Sequence, residues 1–162
     1  MSGPAPEEKV KEKLGEVGNK EEVFAIVYIN DGYYYTYWSR PGEGFSAHGH
    51  AEWVLCQALG GARGTWPGEL RIDITLKFSP CSLCAMQLIS LKQMLDIEEG
   101  ELSYIKIYYL EEYLGKGGVG NSREAMRHLG WSHIICKPYN RCPNGYWWDE
   151  STSRKYHTFG KI

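Results

Sequence analysis

The stretch that most constrains the fold is "ELRIDITLKFSPCSLC". Over 69–78 apolar and polar residues alternate throughout, and this period of two predicts a β-strand. Ser79 followed by Pro80 is typical of a helix N-cap and first helical position, and leucines continue at helical spacing as far as Leu95. A strand that runs directly into a helix predicts an α/β fold and puts Cys81 on the first turn of that helix.

Other segments carry similar patterns. Two β-prone runs, 23–29 and 33–38, flank an Asn-Asp-Gly turn, which is typical of a β-hairpin. The remaining predicted elements are a helix that starts at residue 51 and ends at Gly60-Gly61, a helix over 121–130 that is closed by Gly130, and strands over 102–110 and 131–137. The strand–helix–strand order of 102–137 is the form of a crossover connection, so we expect the fourth and fifth strands to be parallel.

The domain organisation follows from length and pattern. A chain of 162 residues with 43% apolar content is long enough for one domain with a substantial core. We expect an α/β fold with a five-stranded mixed sheet and helices on both faces, formed by residues 21–162. Residues 1–20 are a charged segment in which Val10, Leu14 and Val17 could line one side of a helix lying on the core.

The cysteine content and the N-terminal sequence bear on the cellular compartment of the protein. Five cysteines without paired spacings argue against a disulfide scaffold and favour a reducing, intracellular compartment, the cytoplasm or nucleus. The first residues lack the basic-then-apolar pattern of a signal peptide, and no run of about eighteen apolar residues occurs. We therefore expect no membrane partner. The sequence does not specify the oligomeric state.

Charge is uneven along the chain although the net charge is only −2. Residues 1–112 hold 10 basic against 17 acidic residues, whereas 113–162 hold 8 against 3. A basic final third hints at a polyanionic partner.

Two short stretches, "HGHAEW" and "PCSLC", carry the candidate chemistry. Catalytic zinc sites use three protein ligands and leave one position for water, and one histidine with two cysteines is an established set. His50, Cys81 and Cys84 supply that set, for one zinc ion per chain. Glu52, two residues after the histidine, could lie beside the metal without binding it and transfer protons.

A structural zinc site is the competing interpretation. It would need a fourth protein ligand, for which Cys136 or Cys142 could be proposed. His48 has the wrong spacing from the glutamate to be the ligand and is expected in a loop near the mouth of the site. Cys56 lies inside a predicted amphipathic helix and is expected to be a small buried side chain.

The combination of His-x-Glu and Pro-Cys-x-x-Cys is the zinc deaminase signature. With "HAEWVL", "FSPCSLC" and "IKIYYL" followed by "REAMRHLG", the chain resembles the AID/APOBEC-like branch of the cytidine deaminase superfamily over about residues 23–137. The resemblance implies attack of a zinc-activated water on C4 of cytosine in single-stranded DNA or RNA, with Glu52 passing the proton to N3 and then to departing ammonia.

The same resemblance implies roles for further residues. Phe78 and Ser79 would line the base pocket, the backbone of Ala51 would contact the cytosine edge, and Tyr108 would pack on the target base. The loop over about 111–120 would read the nucleotide 5′ of the target. Basic and aromatic residues of the tail would contact the strand, namely Arg141, Trp147, Trp148, Arg154 and Lys155.

Several alternatives share the signature. Deoxycytidylate deaminases and tRNA adenosine deaminases both keep His-Ala-Glu, although the latter usually carry Glu-Pro-Cys where this chain has Ser79-Pro80-Cys81. A bacterial toxin deaminase domain is a further possibility. From a different class, a catalytically silent module could keep the zinc fold and bind nucleic acid or a protein, but the intact Glu52 speaks against it.

Overall fold

The computed structural model describes residues 3–17, 23–30, 32–39, 50–61, 70–99, 103–111, 122–139, 146–149 and 158–161. The helices and strands in chain order are α1 (Glu7–Glu16), β1 (Phe24–Ile29), β2 (Tyr33–Trp38), α2 (Ala51–Gly61), β3 (Arg71–Phe78), α3 (Ser82–Glu99), β4 (Tyr104–Glu111), α4 (Ser122–Trp131), β5 (Ile135–Pro138), β6 (Tyr146–Asp149) and β7 (Thr158–Lys161). No helix in this described part of the chain has the length and apolar character needed to cross a membrane.

Five strands form one mixed sheet in the order β2-β1-β3-β4-β5. β1 is antiparallel to β2 and β3, whereas β3, β4 and β5 are mutually parallel. The hairpin turn pairs Ile29 with Tyr33, and α3 and α4 provide the crossovers that parallel strands require. The predicted α/β class, the five-stranded mixed sheet and the parallel β4–β5 pair are confirmed.

One side of the sheet, called here the helix face, packs against α2, α3 and α4. Its core contains alternate strand residues such as Ile74 and Ile107, together with helix residues such as Leu55, Leu88 and Leu129. All five are buried. The strand residues alternate because successive side chains point to opposite sides of a sheet.

The other side, called here the α1 face, has a smaller core. Val10 of α1 packs there with Phe24, Ile26 and Tyr108, and Leu14 lies against the same cluster. The N-terminal segment is also held by hydrogen bonds. The Ala5 N–H donates to Thr75 Oγ1 at 2.9 Å, and the Tyr139 hydroxyl donates to the Ala5 carbonyl at 2.8 Å. The predicted apolar stripe of α1 is therefore confirmed. Helices lie on both faces of the sheet.

The start of α3 differs from the prediction. The helix begins at Ser82 rather than at Pro80, and Ser79 is not its N-cap. The Ser79 N–H donates to the Glu111 carbonyl at 2.8 Å, continuing the pairing of β3 with β4, so the chain stays extended at Ser79. Cys81 consequently lies just before the helix rather than on its first turn.

The glycine stops hold at α2 and shift by one residue at α4. α2 ends at Gly61, as the Gly60-Gly61 pair predicts, whereas α4 runs past Gly130 to Trp131. The turn that ends α4 is made by His133, which has a positive φ of 62°. Bonds from the N–H groups of residues 133 and 134 to the carbonyls of residues 130 and 129 complete a Schellman motif. Residues 132–134 are used for this turn, so β5 begins at Ile135 and not at residue 131.

The tail holds an element that sequence periodicity did not predict. β6 and β7 pair as a separate antiparallel two-stranded sheet. Each strand has four residues, which is too short for a pattern of alternation to stand out from its surroundings.

Candidate active site

The site forms where the N-termini of α2 and α3 meet. The His50 carbonyl accepts the Val54 N–H at 3.1 Å, so His50 occupies the N-cap position of α2. In the same way, the Cys81 carbonyl accepts the Ala85 N–H at 2.9 Å and Cys81 is the N-cap of α3. The positive ends of two helix dipoles therefore point at the same small volume, which favours anionic ligands there.

Three side chains converge in this volume. His50 Nδ1 lies 3.2 Å from Cys84 Sγ and 3.6 Å from Cys81 Sγ. The potential ligand atoms of the three residues all lie within 4.8 Å of one another. A tetrahedral zinc ion with bonds of about 2.0–2.3 Å separates neighbouring ligand atoms by about 3.5 Å. The arrangement fits, and His50, Cys81 and Cys84 form a site that could bind one zinc ion.

The electrostatics of the group favour a thiolate. A hydrogen bond from the Cys84 thiol, together with one from His50, outweighs burial and lowers the pKa of Cys81 to about 4. The Cys84 N–H also donates to Cys81 Sγ at 3.5 Å. The pKa of His50 is raised, chiefly by its bond to Cys81, whereas the bond to Cys81 and burial raise the pKa of Cys84. Zinc binds cysteine as the thiolate, so a low pKa at Cys81 suits a metal ligand.

Glu52 lies in the first turn of α2, immediately beside the three ligands. Its side chain is only 4% exposed. Burial raises the pKa of Glu52 to about 7, although a hydrogen bond with Cys84 opposes the shift. Glu52 does not belong to the group of three potential ligands. A buried carboxyl with a pKa near neutrality can both accept and donate a proton, which is what general acid–base catalysis needs.

Three of the four predicted substrate-binding residues lie on the segments that carry Glu52 and the potential zinc ligands. Ala51 is the first residue of α2 and is fully buried in the helix-face core. Phe78 ends β3 and is half-buried, and Ser79 is buried directly after it.

Tyr108 is not brought together with the zinc ligands. Its ring is part of the α1-face cluster that contains Val10 and Phe24, on the opposite side of the sheet from α2 and α3. The preceding and following residues explain this placement, because Ile107 belongs to the helix face and Tyr109 follows it by strand alternation.

Tyr109, the next residue of β4, lies on the helix face. It is 5% exposed and pairs in register with Leu76, which is in the helix-face core. It lies near the carboxyl end of β4, next to the strand that leads to the cysteines. Alternation from Ile105 and Ile107 accounts for this placement of Tyr109.

The fourth ligand of a structural zinc site is absent from the described residues. Cys136 packs against the helix-face core but does not join the His50, Cys81 and Cys84 group. Cys142 lies outside the described residues, as do His48, positions 112–120 of the predicted recognition loop, Arg141, Arg154 and Lys155. Cys56 is buried, as predicted, and burial raises its pKa to about 12.

Comparison with known proteins bears on the fold. No family model and no curated protein matches the sequence. Among solved structures, a dCMP deaminase from the cyanophage S-TIM5 superimposes with a TM-score of 0.50 and 18% identity, over 81% of this chain and 92% of that chain. The chain has a deaminase-like fold. A guanine deaminase from Nitrosomonas europaea gives a TM-score of 0.55 with 15% identity, over 85% of this chain and 79% of that chain.

Identities of 15–18% establish the fold alone. The deaminase-like fold and the His50, Cys81 and Cys84 group together support zinc-dependent deamination in general. They do not identify the base or the molecule that carries it. They also do not show membership of the AID/APOBEC-like branch.

Proposed function

We propose that the protein is a zinc-dependent hydrolytic deaminase that converts cytosine to uracil in single-stranded DNA or RNA. The observation that carries the proposal is the buried carboxyl of Glu52, hydrogen-bonded to Cys84 and beside three side chains that fit a zinc ion. A purely structural zinc site has no use for such a carboxyl, and burying it costs free energy.

The proposed reaction replaces the amino group on C4 of cytosine by oxygen from water. His50, Cys81 and Cys84 would hold the metal and leave its fourth position open. Zinc bound in this way supplies an activated water at neutral pH. Glu52 would take one proton from that water and deliver it to N3 of the ring. Ammonia then leaves with the second proton, and uracil remains.

Substrate recognition in this proposal rests on the residues that flank the site. Phe78 and Ser79 at the end of β3 would form one wall of the base pocket, and Ala51 at the start of α2 would offer its backbone to the cytosine edge. Tyr109 replaces Tyr108 as the aromatic candidate, because it lies on the helix face. A polymer substrate is supported by the resemblance of the motifs and by the basic final third of the chain.

A second candidate is deamination of a free base or nucleotide. It is favoured by the structural neighbours, which are described as a dCMP deaminase and a guanine deaminase. The same site chemistry would serve either substrate class, because the water, the metal and Glu52 act on the ring and not on what it is attached to.

The test uses zinc-loaded wild-type protein and the Glu52→Gln variant, which keeps the size of the side chain but cannot carry the proton. Both are incubated with mixed-sequence single-stranded DNA and RNA, with free cytidine nucleotides and with guanine. Sequencing detects C-to-U changes, and ammonia release reports on the small molecules. We expect conversion in the polymers and a rate at least about 100-fold lower in the variant.

Zinc content of both proteins provides the control, and it should be about one ion per chain in each. Rapid ammonia release from free nucleotide with unchanged polymers would replace the proposal by the second candidate. If zinc-replete wild-type protein turned over none of these substrates, the proposed deaminase activity would be wrong and the protein would be a zinc-binding module without catalytic activity.

A further inference from the structure

The α1 face is covered by apolar packing over only part of its area. Toward the amino ends of β3 and β4 lies a group of five residues, called here the basic strip: Arg71, Tyr104, Lys106, Ile135 and Lys137. The register pairs Arg71 with Tyr104 and Lys106 with Ile135, and Lys137 pairs with Tyr108 of the same face. All five therefore project from one side of three parallel strands.

The strip is accessible to a ligand. Arg71 and Lys137 are exposed, Ile135 is 50% exposed, and Tyr104 and Lys106 are half-buried. None of the five belongs to the cluster that packs under α1.

Three cations dominate the charge of the strip. One carboxylate lies in the same row, that of Asp73, which pairs in register with Lys106 and is 2% exposed. With the Asp73 carboxylate included, the strip still has an excess of positive charge at its surface. Such a surface complements a polyanion.

Two of the lysines lie against the same tyrosine ring. Lys106 Nζ lies 5.4 Å from the centre of the Tyr108 ring and Lys137 Nζ lies 5.6 Å from it. Like charges on neighbouring strands repel each other, and the pKa of Lys137 is lowered chiefly by Lys106. A bound phosphate group would remove this repulsion by pairing with both ammonium groups.

The strip also offers flat apolar surface beside these charges. Tyr104 lies between Arg71 on one strand and Lys106 two residues along its own strand. Cations that track a phosphate backbone, together with an aromatic ring on which a base can stack, form the usual platform for single-stranded nucleic acid. A purely electrostatic contact would not need the ring.

We propose that the basic strip binds single-stranded nucleic acid, with phosphate at Lys106 and Lys137 and a base stacked on Tyr104. The choice of polymer rests on the proposed function. The strip lies on the opposite side of the sheet from the zinc ligands, so this is a second contact, separate from the base pocket. It would raise the affinity for a strand without taking part in the reaction.

Binding is measured by fluorescence anisotropy with a labelled 15-nucleotide oligothymidine, which has no cytosine to occupy the pocket. The zinc-loaded protein is compared with a Lys106→Ala/Lys137→Ala variant and with a Lys11→Ala/Arg127→Ala control, which removes the same charge from exposed positions elsewhere. We expect affinity at least about tenfold weaker in the first variant and unchanged in the control. Loss of this phosphate contact should also make the slope of log affinity against log salt less steep by about 0.7.

Stacking is tested by Tyr104→Ala and Tyr104→Phe. Removal of the ring should weaken binding about fivefold or more, whereas the phenylalanine variant should bind as wild type does. Circular dichroism confirms that each variant is folded. Inorganic polyphosphate, which has no bases, serves as a competitor and should compete less well than unlabelled oligothymidine.

Unchanged affinity and salt dependence in the double lysine variant would overturn the proposal. So would equal competition by polyphosphate with no effect of Tyr104→Ala, which would indicate a nonspecific anion surface. The outcome is separable from that of the proposed function. If wild-type protein converts C to U but the variants bind as tightly as wild type, only the proposal for the basic strip is wrong. If the variants bind more weakly but no protein converts C to U, only the proposed deaminase activity is wrong.

Discussion

The two faces of the central sheet differ in how completely they are closed. On the helix face, three helices cover the strands, and the alternate residues of β1, β3 and β4 are apolar and buried. On the α1 face, one short helix covers Phe24 and Ile26, and the row that contains Asp73 and Lys106 remains at the edge of the packing. The candidate zinc site lies on the closed face.

This difference indicates a division of roles. A metal site needs ligands held to within a fraction of an ångström, and rigid packing around α2 and α3 supplies that precision. Contact with a flexible strand needs accessible charge and aromatic surface instead. If the roles divide in this way, the closed face carries the chemistry and most of the stability, and the α1 face contributes less to both.

The largest expected effect is on the closed face, for Cys81→Ala. Loss of one of three ligands and of the N-cap of α3 should reduce zinc content from about one ion per chain to near zero and lower the deamination rate by at least about 1,000-fold. Cys136→Ala, which removes a half-buried thiol of β5, is the matched control and should retain the metal. Zinc loss in both variants would indicate that Cys136 is also needed for zinc binding.

Core truncations compare the two faces directly. Leu88→Ala on α3 should lower the free energy of unfolding by about 3 kcal/mol, because a fully buried leucine leaves a cavity in rigid surroundings. Val10→Ala on α1 should cost about 1.5–2 kcal/mol, since only two methyl groups are lost. Urea denaturation measures both. A larger loss of unfolding free energy for Val10→Ala than for Leu88→Ala would show that packing on the α1 face contributes more to stability.

The connection from α3 to β4 predicts a pH effect. Asp96 accepts hydrogen bonds from Lys92 Nζ at 2.8 Å and from the Ser103 hydroxyl at 2.7 Å. Burial alone would raise the pKa of Asp96, but these bonds outweigh it and hold the pKa below its usual value. The stabilisation is therefore complete above the unfolded-state pKa and is lost as the pH falls through the lower folded-state pKa.

Asp96→Asn should accordingly cost about 1–2 kcal/mol at pH 7. The difference from wild type should shrink as the pH is lowered below about 4. Denaturation curves between pH 3 and pH 7 provide the measurement, and a difference that stays constant over this range would contradict the assignment.

The smallest effect concerns the turn after α4. His133 is exposed and has a φ of 62°, a conformation that glycine adopts without steric cost. His133→Gly should raise the free energy of unfolding by about 0.5–1 kcal/mol. Thermal denaturation checks this, and Ser132→Gly, outside the positive-φ position, should instead leave stability unchanged or lower it. Equal stabilisation by both changes would argue against the turn as its source.

The sequence by itself determined the strands β1 to β4, the parallel pairing of β4 and β5, and the group of potential zinc ligands. These features depend on local periods and spacings: the alternation in β3, the helical spacing after Cys81, and two short motifs whose residue types suit one metal. Neighbouring residues along the chain carry such patterns without reference to the rest of the fold.

Strand alternation puts the adjacent residues Tyr108 and Tyr109 on opposite sides of the sheet. Tertiary structure alone decided which of the two sides packs against α2 and α3 and holds the candidate zinc site. The start of α3 depended on the bond from Ser79 to Glu111, and the end of α4 on the turn at His133. The basic strip exists only because three strands from distant parts of the chain lie in register. Such contacts join residues far apart in sequence, and their energies are not encoded in any single local pattern.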